Sequence, residues 1–110
     1  MSFGIHKEGD VCVVSVEGQL IVGNRQELKQ KVLDEIERGE RKFLVDFSQT
    51  GYIDSSGLGV LVSLSKKIRE HGGELRLANL NEDLKTLFEL TKLDTLFQIA
   101  DTRERALDSF

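Results

Sequence analysis

The sequence contains no proline, no tryptophan and a single cysteine among its 110 residues. The lone Cys12 excludes an internal disulfide and a cysteine-based zinc site, and makes a reducing cytoplasm the expected compartment. With only two histidines, His6 and His71, a metal centre would have to rest mainly on carboxylates. There is no surplus of positive charge. Fifteen Lys and Arg face nineteen Asp and Glu, a net charge of −4, which argues against direct nucleic-acid binding. Apolar runs last only a few residues, so no membrane insertion is expected. The opening Met1-Ser2-Phe3-Gly4-Ile5-His6-Lys7 lacks the apolar run and cleavage site of a signal peptide. What is present is a balance of 39% hydrophobic and 31% charged residues, that of a globular chain whose length fits one domain over residues 1–110.

The pattern along the chain alternates between two periods. Residues 11–17, Val-Cys-Val-Val-Ser-Val-Glu, are rich in β-branched side chains and predict a strand. The Glu8-Gly9-Asp10 turn joins it in a hairpin to a strand near 2–7. Asn24 is the expected cap of a helix to about Arg38, with Leu28, Val32 and Ile36 on one face and Gly39 as its stop. Phe43, Val45 and Phe47 then share one face of a strand whose other face carries Asp46. A second helix is predicted from Asp54 to about His71, with a stripe of Leu58, Leu61, Val62 and Ile68 and a Gly72-Gly73 stop. Val60 and Leu64 lie off that stripe, so this helix is either buried on two sides or offers a docking face.

Glu74–Ala78 alternates as a half-exposed strand. Asn81 caps a third helix, and a short strand near 96–99 precedes a last helix opened by a capping box of Asp101 and Glu104. The order β-β-α-β-α-β-α-β-α predicts an α/β fold: a mixed, mostly parallel sheet with an antiparallel N-terminal strand and about four helices. Polar residues on several strands (Ser15, Glu17, Asp46, Arg76) predict helices mainly on one face. The basic end of the second helix, Lys66, Lys67, Arg69 and His71, complements the helix dipole or meets an acidic partner.

One stretch breaks its own local rules. Tyr52-Ile53-Asp54-Ser55-Ser56-Gly57-Leu58-Gly59 reads as a strand-to-helix turn, yet it places two glycines in the first turns of an amphipathic helix. Each costs on the order of 1 kcal/mol relative to alanine, and conflicts of this kind tend to mark sites. The bland reading is a cap at Asp54 and Ser56, with glycines that let the helix pack closely. The stretch lacks the third small residue of a dinucleotide fingerprint, the Gly-Lys-Ser/Thr of a P-loop and the Gly-x-Ser-x-Gly of a nucleophile elbow. No histidine has an obvious route to Ser55, so an enzyme is not expected.

Asp54-Ser55-Ser56-Gly57-Leu58-Gly59 resembles the signature of the STAS-domain anti-anti-sigma factors of bacteria. The likeness extends to Leu44-Val45-Asp46-Phe47, Gly72-Gly73-Glu74-Leu75 and Leu90–Phe97, and so spans essentially the whole chain. The resemblance implies a cytoplasmic regulator of transcription that works by partner switching. The unphosphorylated protein binds an anti-sigma factor, a GHKL-type serine kinase, and so frees a sigma factor. Phosphorylation of Ser55 switches it off, and a PP2C-type phosphatase restores it. Asp54, Ser56, Gly57, Leu58 and Gly59 would form the surface that a partner approaches. The resemblance implies no cofactor, since the ATP belongs to the kinase. Members regulated in this way commonly read Gly-Glu-Leu-Asp where this chain has Gly18-Gln19-Leu20-Ile21, a departure that favours an alternative. The alternative is a phosphorylation-independent STAS scaffold or a subunit of a larger signalling or lipid-transport assembly. A small-ligand site at the strand ends around Thr50, Gly51 and Ser55 is a further reading.

Overall fold

The computed structural model describes residues 2–110. Strands β1 (Ser2–Glu8) and β2 (Val11–Leu20) form an antiparallel hairpin about Gly9 and Asp10, with Phe3 opposite Val16 and Lys7 opposite Cys12. Helix α1 (Arg25–Glu37), strand β3 (Lys42–Asp46) and strand β4 (Thr50–Ile53) follow. Next come helix α2 (Ser55–Glu70), strand β5 (Glu74–Ala78), helix α3 (Glu82–Leu90), a 3-10 turn at Leu93–Thr95, strand β6 (Gln98–Ala100) and helix α4 (Arg103–Asp108). The sheet runs β1-β2-β3-β5-β6, every pair beyond the hairpin being parallel. Strand β4 stands off this path and pairs in parallel with the far end of β2, Gly18–Leu20, with an irregularity between Gly18 and Gln19.

The sheet's alternation sorts the side chains into two cores. Cys12, Val14 and Val16 of β2, Phe43 and Val45 of β3, and Leu75 and Leu77 of β5 face one side. Helices α1, α2 and α3 cover them with Leu28, Val32 and Ile36, with Leu58, Leu61, Leu64 and Ile68, and with Leu84 and Phe88. Each fully buried aliphatic side chain contributes roughly 1.5–3 kcal/mol, so this layer carries most of the hydrophobic stabilisation. Val60 and Leu64 are both buried, which decides for a second helix enclosed on two sides.

The opposite face holds a smaller cluster, Val11, Val13, Leu44 and Ala78, under Ala106 of α4. Helices thus lie mainly on one face, as the polar strand residues predicted, with α4 alone on the other. Two of those polar residues, Asp46 and Arg76, secure it. Asp46, 2% exposed, accepts hydrogen bonds from Arg103 (2.7 and 3.0 Å), Asn79 Nδ2 (2.9 Å) and the Ser48 amide (2.9 Å). Arg76 donates to Ser109 Oγ (2.6 Å) and the Ser109 carbonyl (2.9 Å), and its guanidinium lies 4.4 Å from the centre of the Phe110 ring.

Five expectations need correction. Strand β4 and the 3-10 turn were absent from the predicted order, and the last strand begins at Gln98 rather than near 96. Asn24 makes no side-chain cap on α1; its Oδ1 accepts from the Ile21 amide (2.9 Å) and its Nδ2 donates to the Gln19 carbonyl (2.8 Å), so it braces the loop after β2. The capping box of Asp101 and Glu104 does not form, because the helix starts one residue later and Thr102 accepts from the Arg105 amide (3.1 Å). Asn81 does cap α3 through the Leu84 amide (2.8 Å), and its Nδ2 reaches the Thr50 carbonyl (3.3 Å). Replacing it with alanine removes the cap and the tie to β4, an expected loss of about 1–2 kcal/mol in urea denaturation.

Candidate functional site

The corner between β4 and α2 is built on one carboxylate. The Asp54 amide donates to the Leu20 carbonyl (3.1 Å), which carries the β4–β2 pairing one residue further, and Asp54 then leaves extended geometry as the N-cap of α2. Its Oδ1 accepts from Ser56 Oγ (2.6 Å) and from the Gly57 amide (2.8 Å). Its Oδ2 accepts from the Val22 amide (3.1 Å). One side chain therefore ties the helix start to the loop after β2. The Ser56 hydroxyl is the largest influence on the Asp54 carboxyl; desolvation, the next largest, opposes it, and the Gly57, Val22 and Ser56 amides join the hydroxyl to hold the pKa below its ordinary value.

The two serines of the first turn are not equivalent. Ser56 is half-buried and its hydroxyl is committed to Asp54. Ser55 is exposed, and its hydroxyl has no hydrogen-bond partner among the described residues. It stands at the N-terminus of a 16-residue helix, where backbone N–H groups favour negative charge.

The two glycines differ as well. Gly57 is buried, and a Cβ there would stand 2.5 Å from the Leu20 carbonyl oxygen and 2.9 Å from Ile53 Cγ2. Gly59 is exposed, with nothing within 4 Å of such a Cβ. The structure thus brings Asp54, Ser55, Ser56 and Gly59 to the surface and turns Gly57 and Leu58 inward. The expected first-turn surface is narrower than the hexapeptide, because the third and fourth helical residues face the sheet.

Two residues at this corner escaped the sequence reading. Val22 is 64% exposed and Tyr52 is 56% exposed, large apolar side chains on the loop and strand that flank Asp54. The available signal was their setting, a stretch almost without charge. Gln19 is exposed beside Tyr52 in the β2–β4 register, and Ile21 is half-buried. Cys12 is fully buried and burial pushes its thiol up to about 12, so it serves as a packed strand residue. Among the described residues no three His, Cys, Asp or Glu side chains gather in a way that would hold a metal ion. No helix of the described residues is long and apolar enough to cross a membrane.

Residues 3–106 match the STAS domain family model. The chain belongs to the STAS domain family. It is 33% identical over 97 residues to the anti-sigma-B factor antagonist of Bacillus subtilis, covering 88% of this chain and 87% of that protein. The crystal structure of a proposed anti-sigma factor antagonist from Thermotoga maritima superposes with a TM-score of 0.91 at 31% identity, covering 97% of this chain and 92% of that one. The antagonist SpoIIAA shares the fold at lower identity. Its unphosphorylated form gives a TM-score of 0.77 at 20% identity, covering 98% of this chain and 96% of SpoIIAA. Its phosphorylated form gives 0.76 at 21%, covering 98% of each. The mixed sheet, the antiparallel hairpin and the four helices agree with the STAS fold expected from the sequence.

Proposed function

We propose that this STAS domain is an anti-sigma factor antagonist that acts by partner switching at Ser55. The observation that carries the reading is the contrast within one helical turn: Ser56 Oγ is bound to Asp54 at 2.6 Å, while the Ser55 hydroxyl stands exposed. In its unphosphorylated form the protein binds an anti-sigma factor, a GHKL-type serine kinase, and releases the sigma factor. The kinase esterifies Ser55 and ends the contact, and a PP2C-type phosphatase removes the phosphate. Single-domain action over residues 1–110 and a cytoplasmic setting belong to the same reading.

Local electrostatics explain why such a switch changes binding more than folding. A phosphate adds about −1.5 to −2 charges at pH 7. The helix N-terminus attracts it by roughly 0.3–1 kcal/mol, and the neighbouring Asp54 opposes it through solvent. The two effects nearly cancel in the free protein. At a docked surface the dianion loses its water, which costs several kcal/mol without a paired cation. SpoIIAA, solved in both forms, gives nearly the same TM-score to this chain in each.

The scaffold reading is favoured by a specific observation, the absence of carboxylates at Gln19 and Ile21 beside the corner. A ligand site at the strand ends has less support, because the polar groups there are internally bound. Thr50 Oγ1 donates to the Val16 carbonyl (2.6 Å), and the Asp54 carboxylate accepts three hydrogen bonds from the chain itself. Incubation with the GHKL-type kinases of the source organism and ATP, followed by mass spectrometry, separates the first two readings. The switch predicts one phosphate on Ser55 and none on Ser56. Absence of phosphate from Ser55 with every kinase would support the scaffold.

A further inference from the structure

We propose that Val22 and Tyr52 are the anchors of an uncharged docking corner around Ser55, and that the anti-sigma partner meets it with an apolar rather than a basic surface. This inference rests on the partner-switching reading and specifies the chemistry of its contact.

The first ground is charge. The seventeen residues 18–24 and 50–59 that build the corner contain one charged side chain, Asp54, where the chain's 31% average would put about five. That one charge is already engaged by Val22, Ser56 and Gly57. Glu17 and Arg25 flank the first of the two segments on the chain, and the uncharged Gln49 and Val60 flank the second. Depletion of charge at the centre with charge outside is the composition of an interface core.

The second ground is exposure together with restraint. Val22 and Tyr52 are two of the four large hydrophobic side chains exposed among the described residues. Val22 does not sit on a slack loop. Its amide is held by Asp54, the preceding Ile21 amide by Asn24 Oδ1, and the Asn24 and Arg25 amides by the Ile21 carbonyl (3.1 and 2.9 Å). Tyr52 is fixed by β4 in register with Gln19. Apolar side chains carried on a restrained backbone need less further ordering when a partner covers them, and tyrosine is among the residues enriched at binding hot spots.

The third ground is the switch itself. A phosphate on Ser55 would place a dianion in a corner that offers no lysine or arginine among those seventeen residues. If the partner's facing surface is apolar as well, nothing on either side neutralises the charge. A basic counter-surface would instead attract the phosphorylated form.

The test is a titration of purified protein with each GHKL-type anti-sigma kinase of the source organism. Val22→Ser and Tyr52→Ser are expected to weaken binding about tenfold each. Leu90→Ser, at the exposed C-terminal end of α3, serves as a remote control and is expected to bind as the parent does. Raising NaCl from about 0.05 to 0.5 M should change the parent's Kd less than about threefold, since apolar contacts are not screened. Two results overturn the inference while leaving partner switching intact. One is a parent that binds and loses binding on phosphorylation while both serine variants bind equally well. The other is a parent whose affinity falls tenfold or more with salt. A parent that binds none of the kinases overturns both.

Discussion

Replacing Gly57 with alanine is expected to lower the stability of the domain by about 2–3 kcal/mol. Elsewhere in a helix the same change would stabilise by up to about 1 kcal/mol, because alanine is the better helix former. Here the new methyl would sit 2.5 Å from the Leu20 carbonyl oxygen, 2.9 Å from Ile53 Cγ2 and 3.0 Å from Leu20 Cγ. Neither backbone nor buried side chain can give way cheaply, so α2 must lift from the end of β2. A domain of this length loses roughly 4 °C in Tm per kcal/mol, which makes the expected drop about 10 °C by calorimetry. Gly59→Ala supplies the internal control. Its Cβ meets open space, and the expected change is a gain of up to about 1 kcal/mol. Equal stabilities for the two variants would contradict the close approach at Gly57. A Gly59→Ala protein that is more stable yet binds its partner poorly would show that the second glycine serves contact rather than folding.

Asp46→Ala is expected to cost about 2–3 kcal/mol. Removing one member of a fully buried ion pair costs roughly 3–5 kcal/mol, but Arg103 is partly exposed and can turn its guanidinium to water. The loss should be local as well as global. Hydrogen exchange should rise in α4 and in the strands beneath it before it rises in α2, because Asp46 joins β3 to the start of α4. Arg76 remains to hold Ser109 and Phe110 at the other end, so the C-terminal segment should loosen rather than detach.

The same carboxyl gives a pH dependence. Burial on its own raises the Asp46 pKa, but hydrogen bonds from Asn79, the Ser48 amide and Arg103 outweigh it and leave the pKa below the ordinary value. Its contribution is therefore fully present above the unfolded pKa of about 3.9 and is lost as pH falls through the lower native value. The stability difference between parent and Asp46→Asn should hold from neutral pH to about 5 and narrow below about 4, measured by denaturant titration.

The pattern of elements was legible because most of them carry a clean period. Leu28, Val32 and Ile36 lie one helical turn apart, and Phe43, Val45 and Phe47 alternate, and both sets face the main core. Strand β4 left no such trace. It is four residues long, does not alternate in burial, and pairs only with a three-residue stretch of β2 that is itself interrupted by an irregularity. Asn24 and Asp101 are good caps by residue type, yet a cap depends on where the backbone turns, and both helices start where other groups satisfy the first amides. The alternation places Asp46 on a polar strand face, but its burial against α4 was not legible because its partner Arg103 lies 57 positions away. No local pattern reveals such a pair.

The candidate site was legible for a different reason. Asp54 as a cap and two glycines at a helix start form a conflict visible without coordinates. The separation of roles within it was not. Which glycine is pressed against a carbonyl depends on the approach of β2, contributed by residues more than thirty positions earlier, and which serine is free depends on how the Asp54 carboxylate turns onto the first helical turn. Val22 belongs to the same class. A lone valine before Gly23-Asn24 signals nothing until the Asp54 carboxylate is seen to hold its amide.

The central claim is that one exposed hydroxyl controls docking while leaving the fold intact. The most direct measurement compares stoichiometrically phosphorylated and unphosphorylated protein for affinity to the cognate anti-sigma kinase, with Tm recorded on the same samples. A desolvation cost of several kcal/mol predicts at least about a hundredfold weaker binding of the phosphorylated form, with Tm unchanged within a few degrees. Equal affinities for the two forms, or a phosphorylated protein that has lost its cooperative unfolding transition, would contradict it.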